Sequence, residues 1–240
     1  MVVADLGATG VAAVADELDR ARPGSAVGVV ADIGSEAGNV ELIRAATAAF
    51  GPIDLFFANA GVGVGVDLDT SEADWDLAFR VNTHAHRWAA KHLLPDWLDR
   101  GEGYFCSTAS AAGLLTQIGS GPYSVTKHAA VGFAEWLAVT YGGLGLRVTC
   151  LCPMGVNTDM LNPPAAGAGI EQTAGNVVKA AGAVLEPEDV AESTLQCIRE
   201  ERFLVLPHPE VATFFQRKAA DHDRWIAGMQ RLQARVRSGG

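Results

Sequence analysis

The chain has 240 residues, 49% of them hydrophobic and 19% charged, which suits one globular domain with a buried core and excludes an intrinsically disordered chain. Eighteen Lys and Arg against twenty-eight Asp and Glu give a formal charge of −10. Nucleic acid and anionic membranes are therefore poor partners, and a small-molecule substrate is expected. Cys106, Cys150, Cys152 and Cys197 form no CxxC pair and no Cys/His metal frame, which reads as a reduced cytoplasmic chain without a metal site. Met1 to Asp5 carry no basic or long apolar leader and no run of eighteen apolar residues occurs, so a soluble, unexported protein is expected.

In chain order, Val2 to Ala4 reads as a strand, Ala8 to Arg22 as a helix, Ala26 to Ala31 as a strand, Ser35 to Phe50 as a helix and Leu55 to Ala58 as a strand. A long helix follows over Ser71 to Asp99, with Pro95 as a candidate break. Then come a strand over Tyr104 to Ser107, a helix over Gly121 to Tyr141, a strand over Leu146 to Cys152, a helix over Pro187 to Arg199 and a strand over Phe203 to Leu206. Residues 208–237 are expected to form a C-terminal helix, with Trp225, Met229, Leu232 and Val236 on one face beside Arg224, Arg231 and Arg235, making an oligomer contact. The strands are mostly apolar on both faces, as a parallel sheet covered by helices on each side requires. The expected fold is α/β, a doubly wound parallel sheet in a single domain over 1–240. Residues 157–182, with the Gly- and Pro-rich run from Asn162 to Gly169, read as a loop within it.

The most informative stretch runs from Ser110 to Lys127. Tyr123 and Lys127 are four apart on a predicted helix and share a face. A lone YxxxK pair is equally a surface pair, a lone Ser a strand-end residue and a lone Asn a helix-interior one, so context decides. Here Ser110 stands thirteen residues before Tyr123, Asn82 lies in the preceding helix, and Asn59, Ala60 and Gly61 close the strand before that. In this joint spacing the chain resembles the short-chain dehydrogenase/reductase family, from Val2 to about Pro207.

The resemblance implies a Rossmann-like fold and an acid/base tetrad. Tyr123 would be the acid or base for a carbonyl or alcohol oxygen, Lys127 would make its phenol more acidic and reach the nicotinamide ribose, Ser110 would hydrogen-bond the reacting oxygen, and Asn82 would hold a relay water. It further implies that Asp5 receives the adenosine ribose hydroxyls, its charge favouring NAD over NADP. Asp32 and Ile33 would contact adenine, and Asn59, Ala60 and Gly61 would line the cofactor. Pro153, Gly155, Val156 and Thr158 lie in the segment that would hold the carboxamide. For either aspartate, a helix-cap or turn role is the alternative. The function implied is an NAD-preferring oxidoreductase interconverting a secondary alcohol and a ketone. Ile170, Val177 and Val178 in the lid, facing Gly113, Leu114 and Leu115, favour an apolar substrate. A homodimer or homotetramer would form through the two long helices. His84, His86 and His92 read as packing or solvated residues.

One family feature is not found. The family opens with a strand and TGxxxGxG, whose glycines admit the pyrophosphate to a helix N-terminus. Asp32 to Asn59 is twenty-seven residues, the family's usual interval from the third strand's acid to the NAG motif; Gly10 to Asn59 is only forty-nine, about one βα unit short. The chain is therefore expected to begin at the family's second strand, leaving a gap in the 3-2-1-4-5-6-7 order. The native start may be read as lying upstream of Met1. Alternatively the short form is genuine, the second strand pairs with the fourth or a neighbouring subunit covers the gap, and the protein is a non-redox binding protein or pseudoenzyme with weak cofactor binding. A third alternative makes Leu6 to Gly10 a degenerate phosphate loop.

Overall fold

The computed structural model describes residues 1–162, 175, 177–179 and 182–237. Its strands are β1 (Val2–Asp5), β2 (Val27–Val30), β3 (Leu55–Ala58), β4 (Gly103–Thr108), β5 (Leu146–Leu151), β6 (Gly155–Val156), β7 (Val184–Leu185) and β8 (Leu204–Val205). The helices are α1 (Ala8–Ala21), α2 (Glu36–Phe50), α3 (Glu72–Phe79), α4 (Ala85–Arg100), α5 (Ala112–Leu115), α6 (Gly121–Tyr141), α7 (Pro187–Arg199), α8 (Pro209–Ala220) and α9 (His222–Arg237). Helix starts follow their capping residues. Ser35 Oγ accepts the Gly38 N–H and Ser71 Oγ accepts the Asp74 N–H, while prolines open α6, α7 and α8.

β3, β4, β5 and β8 form a parallel sheet in that order, with Phe56 opposite Phe105 and Cys106 opposite Thr149. Side-chain alternation along β5 divides two cores. Leu146, Val148 and Cys150, followed by Cys152, join Ala130, Ala134 and Leu137 of α6 and Leu93 and Trp97 of α4, whereas Leu151 joins Val190 and Cys197 of α7 and Val205 of β8. Helices thus cover both faces, and the fold is a Rossmann-like parallel α/β sheet, as expected.

The sheet is interrupted at one place. β1 pairs only with β2, and β3 only with β4, so each has an edge without a strand partner among the described residues. Leu55 and Phe57 are 42% and 41% exposed, although strands with helix-covered faces ordinarily bury such residues. Direct pairing of the second strand with the fourth is therefore not what forms. In the segment Leu6 to Gly10, the Gly7 N–H is given to Asp5 Oδ1 at 2.8 Å, and Gly10 lies inside α1 with open space around it.

Two helices differ from expectation. The stretch read as Ser71 to Asp99 divides into α3 and α4 around a π-helical turn, Arg80–His84. Pro95 does not break α4: the lost backbone bond is offset by a buried face of Ala89, Ala90, Leu93 and Trp97, and Trp97 Nε1 donates to the Ile53 carbonyl at 2.6 Å. Residues 208–237 form two helices, because Asp221 adopts an extended backbone (φ −154°) and its Oδ1 caps the Arg224 N–H at 2.9 Å. Trp225 then turns back onto Phe214, ring centroids 6.4 Å apart, while no residue of α9 is fully buried. Of the loop over 157–182, Ile170 lies outside the described residues.

Candidate active site

Ser110, Asn59, Pro153, Asp5 and Asp32 all sit at or just beyond the carboxyl ends of parallel strands, where open α/β sheets bind their ligands. Ser110 follows β4 and is buried; its Oγ accepts the Ala112 N–H at 3.1 Å and reaches the Pro153 carbonyl at 3.5 Å, and its hydroxyl is near enough to Tyr123 to act on the phenol's acidity. Tyr123 lies in the first turn of α6 and Lys127 one turn later, with Nζ 5.6 Å from the phenol ring centroid. Lys127 is 2% exposed and donates to the Thr108 carbonyl at 2.8 Å. The structure therefore brings Ser110, Tyr123 and Lys127 together.

Their electrostatics differ from the sequence expectation. Burial pushes the Tyr123 phenol above its usual value, with the Ser110 hydroxyl pulling the other way. Burial also lowers Lys127 to about 8, opposed by the Cys150 and Cys152 thiols beneath it. The dominant force on the phenol is desolvation rather than acidification by the lysine.

Asn82 is buried within the π-helical turn. Its Oδ1 accepts the Val62 N–H at 2.8 Å, and its Nδ2 donates to the Val62 carbonyl at 2.9 Å and to Thr126 Oγ1 at 3.1 Å. Both amide hydrogens are spent on protein partners, so the side chain joins the loop after β3 to α6. At Gly61 in that loop, a Cβ would come within 3.3 Å of both Asn82 Oδ1 and Lys127 Nζ. Asn59 Oδ1 accepts from Thr108 Oγ1 at 2.8 Å, and Ala60 is exposed.

Asp5 is exposed at the end of β1, one oxygen committed to Gly7, and Asp32 Oδ1 accepts the Gly34 N–H at 2.9 Å beside half-buried Ile33. Both aspartates thus fill turn roles and keep a second oxygen open. Pro153 accepts the Ala111 N–H at 2.8 Å, Gly155 and Val156 form β6 against β7, and exposed Thr158 reaches only the Val156 carbonyl, at 3.4 Å. Gly113, Leu114 and Leu115 do not form a cleft wall: all three are buried, Leu114 and Leu115 within the core, and a Cβ on Gly113 would meet the Lys127 carbonyl.

Sequence reasoning misses Thr126 and His208, whose cross-element partners, Asn82 for the one and Met154 and Gly155 for the other, are remote in the chain, while His86 takes the packing role open to it. His86 Nδ1 is 2.9 Å from Ser107 Oγ, and Nε2 has no partner among the described residues. Burial, reinforced by the Lys127 charge, holds its pKa near 3. Between pH 6.5 and about 3 the unfolded chain binds a proton that the folded one refuses, so stability falls with pH across that window, by up to about 5 kcal/mol. His86→Leu should be slightly less stable than wild type at pH 7.5 and more stable at pH 4.5; urea melts at both values check this crossover.

The family model described as short chain dehydrogenase matches residues 1–168. Among curated relatives, (2S)-[(R)-hydroxy(phenyl)methyl]succinyl-CoA dehydrogenase subunit BbsD of Thauera aromatica is 33% identical over 67% of this chain and 64% of its own length. Secoisolariciresinol dehydrogenase of Forsythia intermedia is 30% identical over 74% and 66%. The match thus spans about two thirds of the relatives' length. Among solved structures, a short chain dehydrogenase/reductase from Burkholderia phymatum in complex with NAD superposes with a TM-score of 0.82 at 30% identity, covering 92% of this chain and 84% of that one. A short-chain dehydrogenase from Sphingobium yanoikuyae in complex with NADPH gives a TM-score of 0.76 at 18% identity, covering 96% and 85%. The parallel sheet, the residues at its carboxyl edge and the match over more than half its length together make this chain a member of the short-chain dehydrogenase/reductase family.

Proposed function

We propose that this chain is an NAD-preferring oxidoreductase interconverting a secondary alcohol and a ketone. The observation that carries the reading is the convergence of the Ser110 hydroxyl, the Tyr123 phenol and the Lys127 ammonium after β4. In reduction, the Ser110 hydroxyl turns its one hydrogen from the Pro153 carbonyl, 3.5 Å away, to the substrate carbonyl, and Tyr123 transfers its proton to that oxygen as the alcohol forms. Lys127 stabilises the resulting phenolate; the reverse direction begins from that phenolate as base. Asn82 keeps the Val62 loop and α6 in register. A bound nicotinamide would supply the hydride in reduction and accept it in oxidation.

The residues fit the nicotinamide end of a dinucleotide. Gly61 leaves the approach to Lys127 Nζ open where any side chain would crowd it. Asn59, Ala60, Gly61, Pro153, Gly155, Val156 and Thr158 would hold the ribose and carboxamide, and Asp32 and Ile33 the adenine. NAD is favoured because Asp5 has no cationic partner among the described residues to compensate a further phosphate. Half-buried Val178 beside Gly155 and exposed Met160 near Gly63 support an apolar substrate. Exposed Val125, Trp136 and Val139 on α6 support a homo-oligomer. Among the described residues no helix is long and apolar enough to cross a membrane.

A second reading, a binding protein without redox activity, draws on the open edges of β1 and β3 among the described residues. Calorimetric titration separates the two. The oxidoreductase reading expects binding of NADH with a dissociation constant below millimolar and weaker binding of NADPH. No heat at millimolar NADH and NADPH would favour the second reading.

A further inference from the structure

His208 lies immediately before α8 and is 1% exposed. Both ring nitrogens are engaged by one short stretch of backbone: Nδ1 is 3.1 Å from the Met154 nitrogen and Nε2 is 3.0 Å from the Gly155 carbonyl oxygen. A backbone N–H only donates, so Nδ1 is the acceptor. The neutral ring then carries its hydrogen on Nε2, which donates to Gly155. One tautomer satisfies both contacts, and the planar imidazole fixes the spacing between the 153–154 and 155–156 peptide groups, which flank the 154–155 peptide.

The clamp is itself held. Pro209 opens α8, Val211 is fully buried in the main core, and near the other end of the helix Lys218 Nζ donates to the Leu114 carbonyl at 2.6 Å. Leu114 belongs to α5, which directly follows Ser110. On its other side, the clamped segment passes its Pro153 carbonyl to the Ala111 N–H and the Ser110 hydroxyl. Helix α8 therefore straps together the turn after Ser110 and the segment after β5.

The geometry points to His208 as a positioning residue for the proposed reaction, setting the height and peptide-plane orientation of Met154 and Gly155 where that segment meets the nicotinamide. This rests on the reading of Pro153 to Thr158 as the carboxamide-holding segment. His208 touches no reacting atom; it acts through two backbone groups.

His208→Ala removes both contacts, whereas His208→Gln keeps an acceptor and a donor on one planar group. In the protein without cofactor, the Met154 amide should exchange with solvent at least about tenfold faster in the alanine variant and near the wild-type rate in the glutamine variant. In turnover, the alanine variant should show an NADH KM raised about tenfold or more, and scrambled transfer from NADH carrying deuterium on one face of the nicotinamide, with glutamine restoring most of both. A destabilising packing defect alone would leave the facial fidelity of the folded molecules intact. If the alanine variant does not fold, the glutamine variant decides: wild-type KM and fidelity support the role, and a folded protein with impaired values of both despite a protected Met154 amide overturns it. A folded alanine variant with wild-type KM and fidelity also overturns it. That result alongside an active wild type leaves the oxidoreductase reading standing, whereas a wild type with neither cofactor affinity nor turnover removes both.

Discussion

Tyr123→Phe should abolish turnover, by about 10²–10⁴-fold, while leaving the fold intact. The phenol is the one group in the cluster that can both give and receive a proton. Ser110 is already tied to the Ala112 N–H and the Pro153 carbonyl, and the Lys127 ammonium is engaged by the Thr108 carbonyl. The substitution removes one hydroxyl and keeps the ring, so the stability change should stay within about 1 kcal/mol. Parallel measurement of turnover and of the urea midpoint checks both halves; a large drop in both would mean that the hydroxyl mainly supports packing.

Lys127→Met should move activity and stability in opposite directions. The ammonium is 2% exposed and no carboxylate pairs with it. Its pKa of about 8 lies below the ordinary lysine value of 10.5 because burial disfavours the charged form. The sign follows from proton counting. Between pH 8 and 10.5 the unfolded chain holds a proton that the folded chain has lost, so stability rises with pH through that window. Below pH 8 the whole penalty is present, about 3 kcal/mol. Methionine fills similar volume without charge. After deducting about 1 kcal/mol for the lost hydrogen bond to Thr108, the variant should be more stable than wild type at pH 7 by roughly 2 kcal/mol, a rise in melting temperature of about 4–8 °C. The gain should vanish above pH 10.5. Turnover should meanwhile fall at least about 100-fold, because the proposed phenolate loses its only cationic neighbour among the described residues. A variant both inactive and less stable at pH 7 would show that the buried charge is compensated by a group the site does not contain.

These opposed effects explain why the site was legible in the sequence while its electrostatics were not. Ser110, Tyr123 and Lys127 are recognisable from spacing because one strand end and one helix turn fix their relation locally. Whether Lys127 acidifies Tyr123 depends on how much water reaches them, and spacing carries no such information. The alternation of strands and helices is equally readable, since β4 and β5 are short, mostly buried runs between longer helical patterns. The π-helical turn at Arg80–His84 was read through, because a one-residue widening leaves apolar periodicity almost unchanged. Asp221 was also passed over: a polar residue on a helical pattern looks solvent-facing until its side chain caps the next helix. Leu114 and Leu115 were assigned to a cleft because composition gives hydrophobicity without direction. His208 had no local signal at all, since both its partners lie more than fifty residues earlier.

The most direct test of the central claim is a single turnover of NADH deuterated at the transferable position, mixed with the protein and an apolar ketone, with the label in the product located by mass spectrometry. Proton handling by Tyr123 beside a bound nicotinamide predicts deuterium at the carbinol carbon with the wild type and none with Tyr123→Phe at equal cofactor occupancy. Label transfer at the same rate by both proteins, or none by a wild type saturated with NADH across a panel of apolar ketones, would contradict it.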